Sequence, residues 1–425
     1  MKVLILGLSA RSHALAKACL KSPLLTKLLV APGNDGIAQD AECQAVDINN
    51  LDSVLQCVLS FSPDLVIIAP EGLVNLGIVD VLRSQDICVY GATQNLMELQ
   101  NSQLASRHFM HKYGIPTASF AQFDNLDETL ACLKGERFPT VIKSDIMQGG
   151  TPMVVLATHY SQAEDAVRLI YSSSQLNGKK PNILIEEYLK GEDIAINLMV
   201  CGEKSVILPL AHDYNHLNEG DSGPLTFGMG AYAPLAWVPA ATQELIQKSI
   251  IETTLYGFKH EGYDYRGSLQ IKVILTAQGP KAIDFKVALG DPACQTFLPL
   301  FESDPLEVFL SCAKGTLDPS NVRFNNKTSV TIIKNAQGYP FAFNTGEPIT
   351  LPADIPPCVS ILHGATKKKT DGTFISDGGR VLHINAIGPS LIEAALEAYA
   401  VCKKTHFASE FYRKDIALKI IEQIK

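Results

Sequence analysis

Residues 283–295 read IDFKVALGDPACQ, a short apolar strand that sets Asp284 and Lys286 two apart and runs into a Gly-Asp-Pro turn. Side chains two apart on a strand leave the same face. A carboxylate and an ammonium therefore share one space, as at the mouth of a phosphate or metal site with a lysine standing in it. Three other stretches carry residue types that can do chemistry. In GLSARSHA, Gly7 to Ala14, a strand ends in glycine and a helix follows, so backbone N–H groups and Arg11 can hold an anion, although the spacing is not G-x-G-x-x-G. VIKSD and LIEEYLKGED set Lys143 on one strand and Glu186, Glu187 and Glu192 around another. A lysine for phosphate and carboxylates for ribose hydroxyls would suit a nucleotide cleft; exposed charges on a sheet give the same pattern. EGDSGPLTFGMGAY, Glu219 to Tyr232, is a glycine-rich loop too long and irregular for a simple hairpin, and loops of that length tend to be functional.

These residues need elements to position them. The first hundred residues alternate short apolar runs (KVLILG, KLLVAPG, DLVIIAPE, ICVYGA) with helical patterns, the first helix beginning near Ser12. That alternation predicts a doubly wound parallel sheet, with ligands at the carboxyl ends of its strands, where Gly7, Gly33, Glu71 and Gly91 fall. A helix over Ser102 to Tyr113 follows. From GIPTASF onward the strands are joined mostly by turns, with one helix near Ala163 to Tyr171, which predicts an antiparallel sheet and α+β architecture. Beyond about Thr328 come further short strands with Gly and Pro turns and a last helix over Ser390 to Cys402. The expected organisation is an N-terminal α/β domain over 1–100, a central domain over 101–325 with a small lid near 115–190, and a small mixed β domain over 326–425.

A chain of 425 residues implies about two to four domains. With 46% hydrophobic and 19% charged residues it has an ordinary globular composition. A net charge of −8 argues against a nucleic-acid partner, which needs clustered Lys and Arg; the one basic run, Lys367 to Lys369, is expected to be a solvated loop. No segment reaches the roughly 18 apolar residues of a membrane helix. The apolar start is broken by Arg11 and lacks a small-residue cleavage site. Ten scattered cysteines with no Cys-x-x-Cys spacing read as reduced core residues, which places the chain in the cytoplasm.

Taken in order, the four stretches resemble the glycinamide ribonucleotide synthetase family, the phosphoribosylamine–glycine ligases of the ATP-grasp superfamily. The resemblance covers essentially the whole chain. The family's opening Gly-Asn-Gly-Gly-Arg-Glu-His-Ala stands as Gly7 to Ala14, its Ala-Pro-Gly-Asn is intact at Ala31 to Asn34, and its Gly-Pro-Glu is Ala69-Pro70-Glu71. The long loop ends Asp221-Ser222-Gly223-Pro224-Leu225-Thr226-Phe227-Gly228-Met229-Gly230-Ala231-Tyr232, and HGAT (363–366), GGRVL (378–382) and YRKDI (412–416) match the family's C-terminal marks. The resemblance implies ATP-grasp domains, ATP and magnesium, small-molecule substrates and a monomer or dimer. It implies a reaction in which ATP phosphorylates glycine's carboxylate and the amine of 5-phosphoribosylamine attacks the acyl phosphate. By the same resemblance Lys143, Glu186, Glu187, Leu189 and Glu192 would hold the nucleotide, and Asp213 and Asp291 would be catalytic. Gly7, Arg11, His13, Asn34, Glu71, Asp221, Thr226, Gly228 and Gly230 would meet the substrates, and Asp284 would ligate the metal.

Several matching positions depart from the family. Its Glu-x-Asn-x-Arg-x-Gly-Asp-Pro-Glu becomes Asp284, Lys286, Ala288, Gly290, Asp291, Pro292 and Ala293, so a lysine occupies the second metal-ligand position. An ammonium has three donors and no acceptor, and it cannot coordinate a cation. In the phosphate-covering loop, Lys143 to Met153, the family's lysine and glycine are Thr151 and Pro152, and a family lysine upstream is Gln103. Proline removes an N–H from a loop that would fold amides over phosphate. In the long loop the cationic Lys and Arg beside Asp213 are Asn215 and His216, and the preceding Gln is His212. Three readings follow: a ligase of this family, a non-catalytic homologue with a binding or regulatory role in which Lys286 neutralises Asp284, and a ligase whose substrate has changed so that Lys286 touches an anion directly.

Overall fold

The computed structural model describes residues 1–148, 151–176 and 182–424. The chain opens with a five-stranded sheet in the order Glu42–Cys43, Lys27–Pro32, Lys2–Gly7, Leu65–Ile68, Val89–Tyr90, all neighbours parallel. The interiors of its central strands are apolar because both faces are covered: Leu4, Leu6, Val66 and Ile68 face one core, and Val3, Ile5, Leu65 and Ile67 the other. Strand order reverses beside Lys2–Gly7, so the strand ends at Gly7 and Ile68 open a crevice of the kind that takes ligands. Gly7 lies at φ 150, and a Cβ there would stand 2.3 Å from Ser12 Oγ; only glycine lets the helix Ala10–Cys19 start so close to the strand.

The stretch expected as a lid contains an antiparallel sheet in the order Phe120–Phe123, Ile183–Glu187, Thr140–Gln148, Thr151–Ala157. Helices Leu126–Leu133 and Tyr160–Leu176 cover it through a separate core that includes Leu133, Ile142, Val167 and Ile185. The expected helix near Ala163 to Tyr171 is thus longer at both ends. The helix Gln103–Tyr113 links this lid to the rest. Ser102 caps it, accepting from the Ala105 N–H at 2.9 Å and donating to Asp145 at 2.9 Å, and Gly114 ends it in the left-handed region at φ 72.

A second antiparallel sheet, Lys204–Ile207, Gly191–Cys201, Arg266–Thr276, Gly279–Lys286, forms the floor and is bridged to the chain leading into the first at Thr117 and Ala282. The third unit, expected as a small mixed β domain, is a six-stranded sheet with antiparallel pairs, backed by the helix Leu391–Lys404. Two of its strands, His212–Asp213 and Gly230–Ala233, come from the middle of the chain and pair at the edge of Thr328–Ala336. The long loop is therefore carried by the C-terminal sheet, across the boundary expected near 325. Lys367 and Lys368 lie on a short exposed hairpin, where Thr366–Lys368 pairs with Phe374–Ser376. All ten cysteines are unpaired. Among the described residues no helix is long and apolar enough to cross a membrane.

Candidate functional site

The lid's side of the site is a buried charge triad. On paired strands Glu186 stands opposite Val141 and Lys143 opposite Leu184, which makes Lys143 and Glu186 diagonal neighbours on one face. Lys143 Nζ lies 2.9 Å from Glu186 Oε2. Arg107, one turn beyond Gln103 and completely buried, donates to the same carboxylate from Nε at 2.7 Å and Nη2 at 3.1 Å, and from Nη2 to the Ile283 carbonyl at 2.7 Å. Burial lowers the Lys143 pKa, and the Arg107 charge adds to that. Burial works to raise the Glu186 pKa, but Lys143 and Arg107 outweigh it and the carboxyl stays ionised. Glu187 points outward, 2.6 Å from Lys281, and accepts from the Ser119 N–H at 3.0 Å; Leu189 is buried.

The floor contributes the opening stretch. Lys286 pairs with Gln270 and Asp284 with Lys272 across neighbouring strands, so these four side chains share a face. Asp284 Oδ1 accepts from Gln103 Nε2 at 3.3 Å and from the Phe285 N–H at 3.1 Å. Lys286 makes no direct ion pair with Asp284, since among the described residues no carboxylate oxygen lies within 4.0 Å of its ammonium, although the Asp284 charge reaches it. Register puts Asp284 opposite Lys272, and its oxygen is turned toward the helix Gln103–Tyr113. Asp213 enters from the C-terminal sheet, with Oδ2 accepting from Gln270 Nε2 at 3.2 Å and Oδ1 buried without a partner. Burial raises its pKa.

The N-terminal crevice continues the same wall. Arg11 is bidentate to Glu71 at 3.2 and 2.8 Å and donates to the Leu289 carbonyl at 2.6 Å. Asp291 is bidentate with Arg380 at 3.0 and 2.9 Å and accepts from Gln295 Nε2 at 2.9 Å. Burial opposes the Asp291 charge, and Arg380 more than offsets this, holding the carboxyl well below the usual range. Gly228, at φ 108, passes so close that a Cβ would stand 2.5 Å from Pro292 Cδ. Thr226 Oγ1 donates to the Asn215 carbonyl and accepts from the Gly228 N–H, and Gly230 begins the adjoining strand. Lys143, Asp284, Asp213, Arg11, Glu71, Asp291, Thr226, Gly228 and Gly230 thus lie along one charged wall.

Other expected contacts are spent elsewhere. His13 is buried, with Nε2 2.7 Å from Asp40 and Nδ1 accepting from the His363 N–H at 2.9 Å, so both ring nitrogens are occupied between domains. Asn34 Oδ1 caps Gly36 and Ile37, and its Nδ2 donates to Leu8, His363 and Gly364 carbonyls. Glu192 is exposed and 2.7 Å from Lys419. Asp221 pairs with Arg413 at 2.8 Å. Gly149 and Gly150 lie outside the described residues, as do the side chains of Thr151 and Pro152. Sequence reasoning missed Arg107, Lys272 and Arg380. Lys272 had a signal, a polar residue two beyond Gln270 in the apolar run SLQIKVIL, and Arg380 sits in the GGRVL mark; Arg107 has none short of knowing its distant partner.

The residues present do not fit magnesium. Among the described residues Asp284 is the one carboxylate at the expected position, Lys272 and Lys286 flank it, and ammonium groups are not ligands. Among the described residues no group of three or more His, Cys, Asp or Glu side chains could hold a metal ion.

The sequence matches the phosphoribosylglycinamide synthetase N domain over residues 1–100, its ATP-grasp (A) domain over 101–294 and its C domain over 329–419. A curated phosphoribosylamine–glycine ligase of Xanthomonas campestris is 32% identical over 99% of this chain and 98% of its own length. The crystal structure of the phosphoribosylamine–glycine ligase of Thermotoga maritima superposes with a TM-score of 0.84 at 30% identity, covering 98% of this chain and 100% of that one. The biotin carboxylase domain of the Hydrogenobacter thermophilus 2-oxoglutarate carboxylase shares the fold alone, with a TM-score of 0.73 at 15% identity over 96% of this chain and 91% of its own. With three consecutive domains matched and a full-length relative above 30% identity, the chain belongs to the phosphoribosylglycinamide synthetase family.

Proposed function

We propose that this chain is an ATP-dependent carbon–nitrogen ligase that joins glycine to 5-phosphoribosylamine in purine biosynthesis, working in the cytoplasm as a monomer or dimer. The observation that carries the reading is the run of interacting charges from Lys143 to Asp284, from Asp284, Asp213 and Glu71 to Lys286, and from Arg11 to the Asp291–Arg380 pair. Such a reaction needs little covalent work by side chains and much positioning. A carboxylate oxygen of glycine attacks the γ-phosphorus and ADP leaves; the amine then attacks the acyl carbon, phosphate departs with the bonding pair, and the amine proton goes to a base. Asp213, with its pKa raised by burial and Oδ1 unpartnered, is placed to accept that proton. Asp291, kept ionised by Arg380, is a fixed negative charge and a poor proton acceptor. Lys143 offers a cation to the nucleotide from a mount that Glu186 and Arg107 hold rigid.

The test is ADP release by the purified chain. Release that requires both glycine and phosphoribosylamine is expected; ATP turnover indifferent to both, or none, refutes the reading. One observation favours a second reading, a binding protein without turnover: the two lysines at the position where the family holds its metal. It would show as ATP raising the melting temperature with no ADP formed.

A further inference from the structure

We propose that Lys272 and Lys286 form a metal-free clamp that grips the phosphate chain of a nucleoside triphosphate by direct ammonium–oxyanion contacts. The proposal deepens the ligase reading and rests on it for the identity of the ligand. The two lysines are diagonal neighbours on one sheet face, Lys272 opposite Asp284 and Lys286 opposite Gln270, just before an irregularity in the register that re-aims the strand. Neither ammonium has a carboxylate oxygen within 4.0 Å among the described residues. The acids around Lys286 are engaged elsewhere: Glu71 with Arg11, Asp284 with Gln103 and its own strand, Asp213 with Gln270.

Two like charges facing one half-closed space repel, and they stay there at least cost when an anion joins them. Asn197, fully buried and paired in register with Gln270 on the next strand, has an Nδ2 with no acceptor among the described residues. Lys143 lies close enough to Asp284 to feel its charge, and three cations in one region suit a polyphosphate better than a single carboxylate. Ammonium groups then do the neutralising that a divalent cation does elsewhere, and magnesium, which claims the same phosphate oxygens, becomes a competitor.

The experiment is calorimetric titration of the full chain with ATP in excess EDTA and again in excess magnesium, with pyrophosphate in EDTA as a second probe. ATP and pyrophosphate are expected to bind in EDTA, with weaker ATP binding when magnesium is added. Lys286→Gln and Lys272→Gln should each weaken the EDTA affinity by about tenfold or more, the worth of a charge-assisted contact. Lys248→Gln, on an exposed helix, should leave it unchanged. Thermal unfolding of each variant verifies that it is folded. Binding that needs magnesium, or EDTA binding untouched by both substitutions, overturns the clamp and leaves the ligase reading standing. No ATP binding under either condition overturns both.

Discussion

Replacing Glu186 with Gln tests the physics of the lid most directly. The side chain keeps its shape, but Arg107 and Lys143, completely buried and 10% exposed, lose the carboxylate they share. Each contact is charge-assisted and worth about 1.5–3 kcal/mol. Two cations left about 5 Å apart repel by about 3 kcal/mol at an effective dielectric of about 20. Relaxation and water entry recover part of this, so the expected loss at neutral pH is about 3–5 kcal/mol, the usual cost of breaking a buried pair from one side. Arg107→Met should cost less, about 2–4 kcal/mol, because Lys143 still neutralises Glu186. The double variant should lose less than the sum of the two.

The pH dependence fixes the sign. The folded Lys143 pKa lies below its ordinary 10.5, so between the two values the unfolded chain binds more protons and stability rises with pH. Without Glu186 that folded pKa falls further, which widens the window. The deficit of Glu186→Gln should therefore shrink as pH rises from neutral toward 10.5. Urea midpoints followed by far-UV circular dichroism, at neutral pH and about one unit below the ordinary lysine value, measure it. A deficit that does not change with pH, or strict additivity in the double variant, would refute the triad as described.

Three further outcomes follow from the same wall. Lys286→Met removes a half-closed, unpaired charge and should raise stability by about 1–2 kcal/mol at neutral pH. Because the folded Lys286 pKa is depressed, that gain should narrow as pH climbs toward 10.5, read as converging thermal midpoints. Arg380→Met strands Asp291 and should cost about 3 kcal/mol at neutral pH. The Asp291 pKa is held below its ordinary 3.8, so this contribution is present above that value and the deficit should close as pH falls beneath it in urea titrations. Gly228→Ala forces a Cβ to within 2.5 Å of Pro292 at φ 108. A cost of about 2–4 kcal/mol in the urea midpoint is expected, and an unchanged midpoint would mean the loop can move aside.

Much of the fold was legible because its signals are local. Strands covered on both faces must be apolar throughout, so KVLILG and DLVIIAPE announced the parallel sheet, and the glycine at φ 150 after the first of them marked where a helix turns in close. The family patterns are likewise runs of adjacent residues, and Lys286 beside Asp284 could be read as incompatible with a metal from chemistry alone. What stayed hidden depends on which face meets which. A period of two says that Asp284 and Lys286 share a side of their strand, not that Lys272 faces them from the next strand or that Asp284 turns to Gln103, 181 residues away in the chain. Arg107 reads as one more charge on a helix until Glu186, 79 residues on, arrives against it, and Arg380 as part of a glycine turn until it closes on Asp291. Sequence alone determined the order of the elements and the charges they carry, because backbone and burial rules act over a few residues. Only the tertiary structure decided which charges are neutralised and which two lysines are left facing an open space, because that choice is made by strand register and domain packing across long stretches of chain.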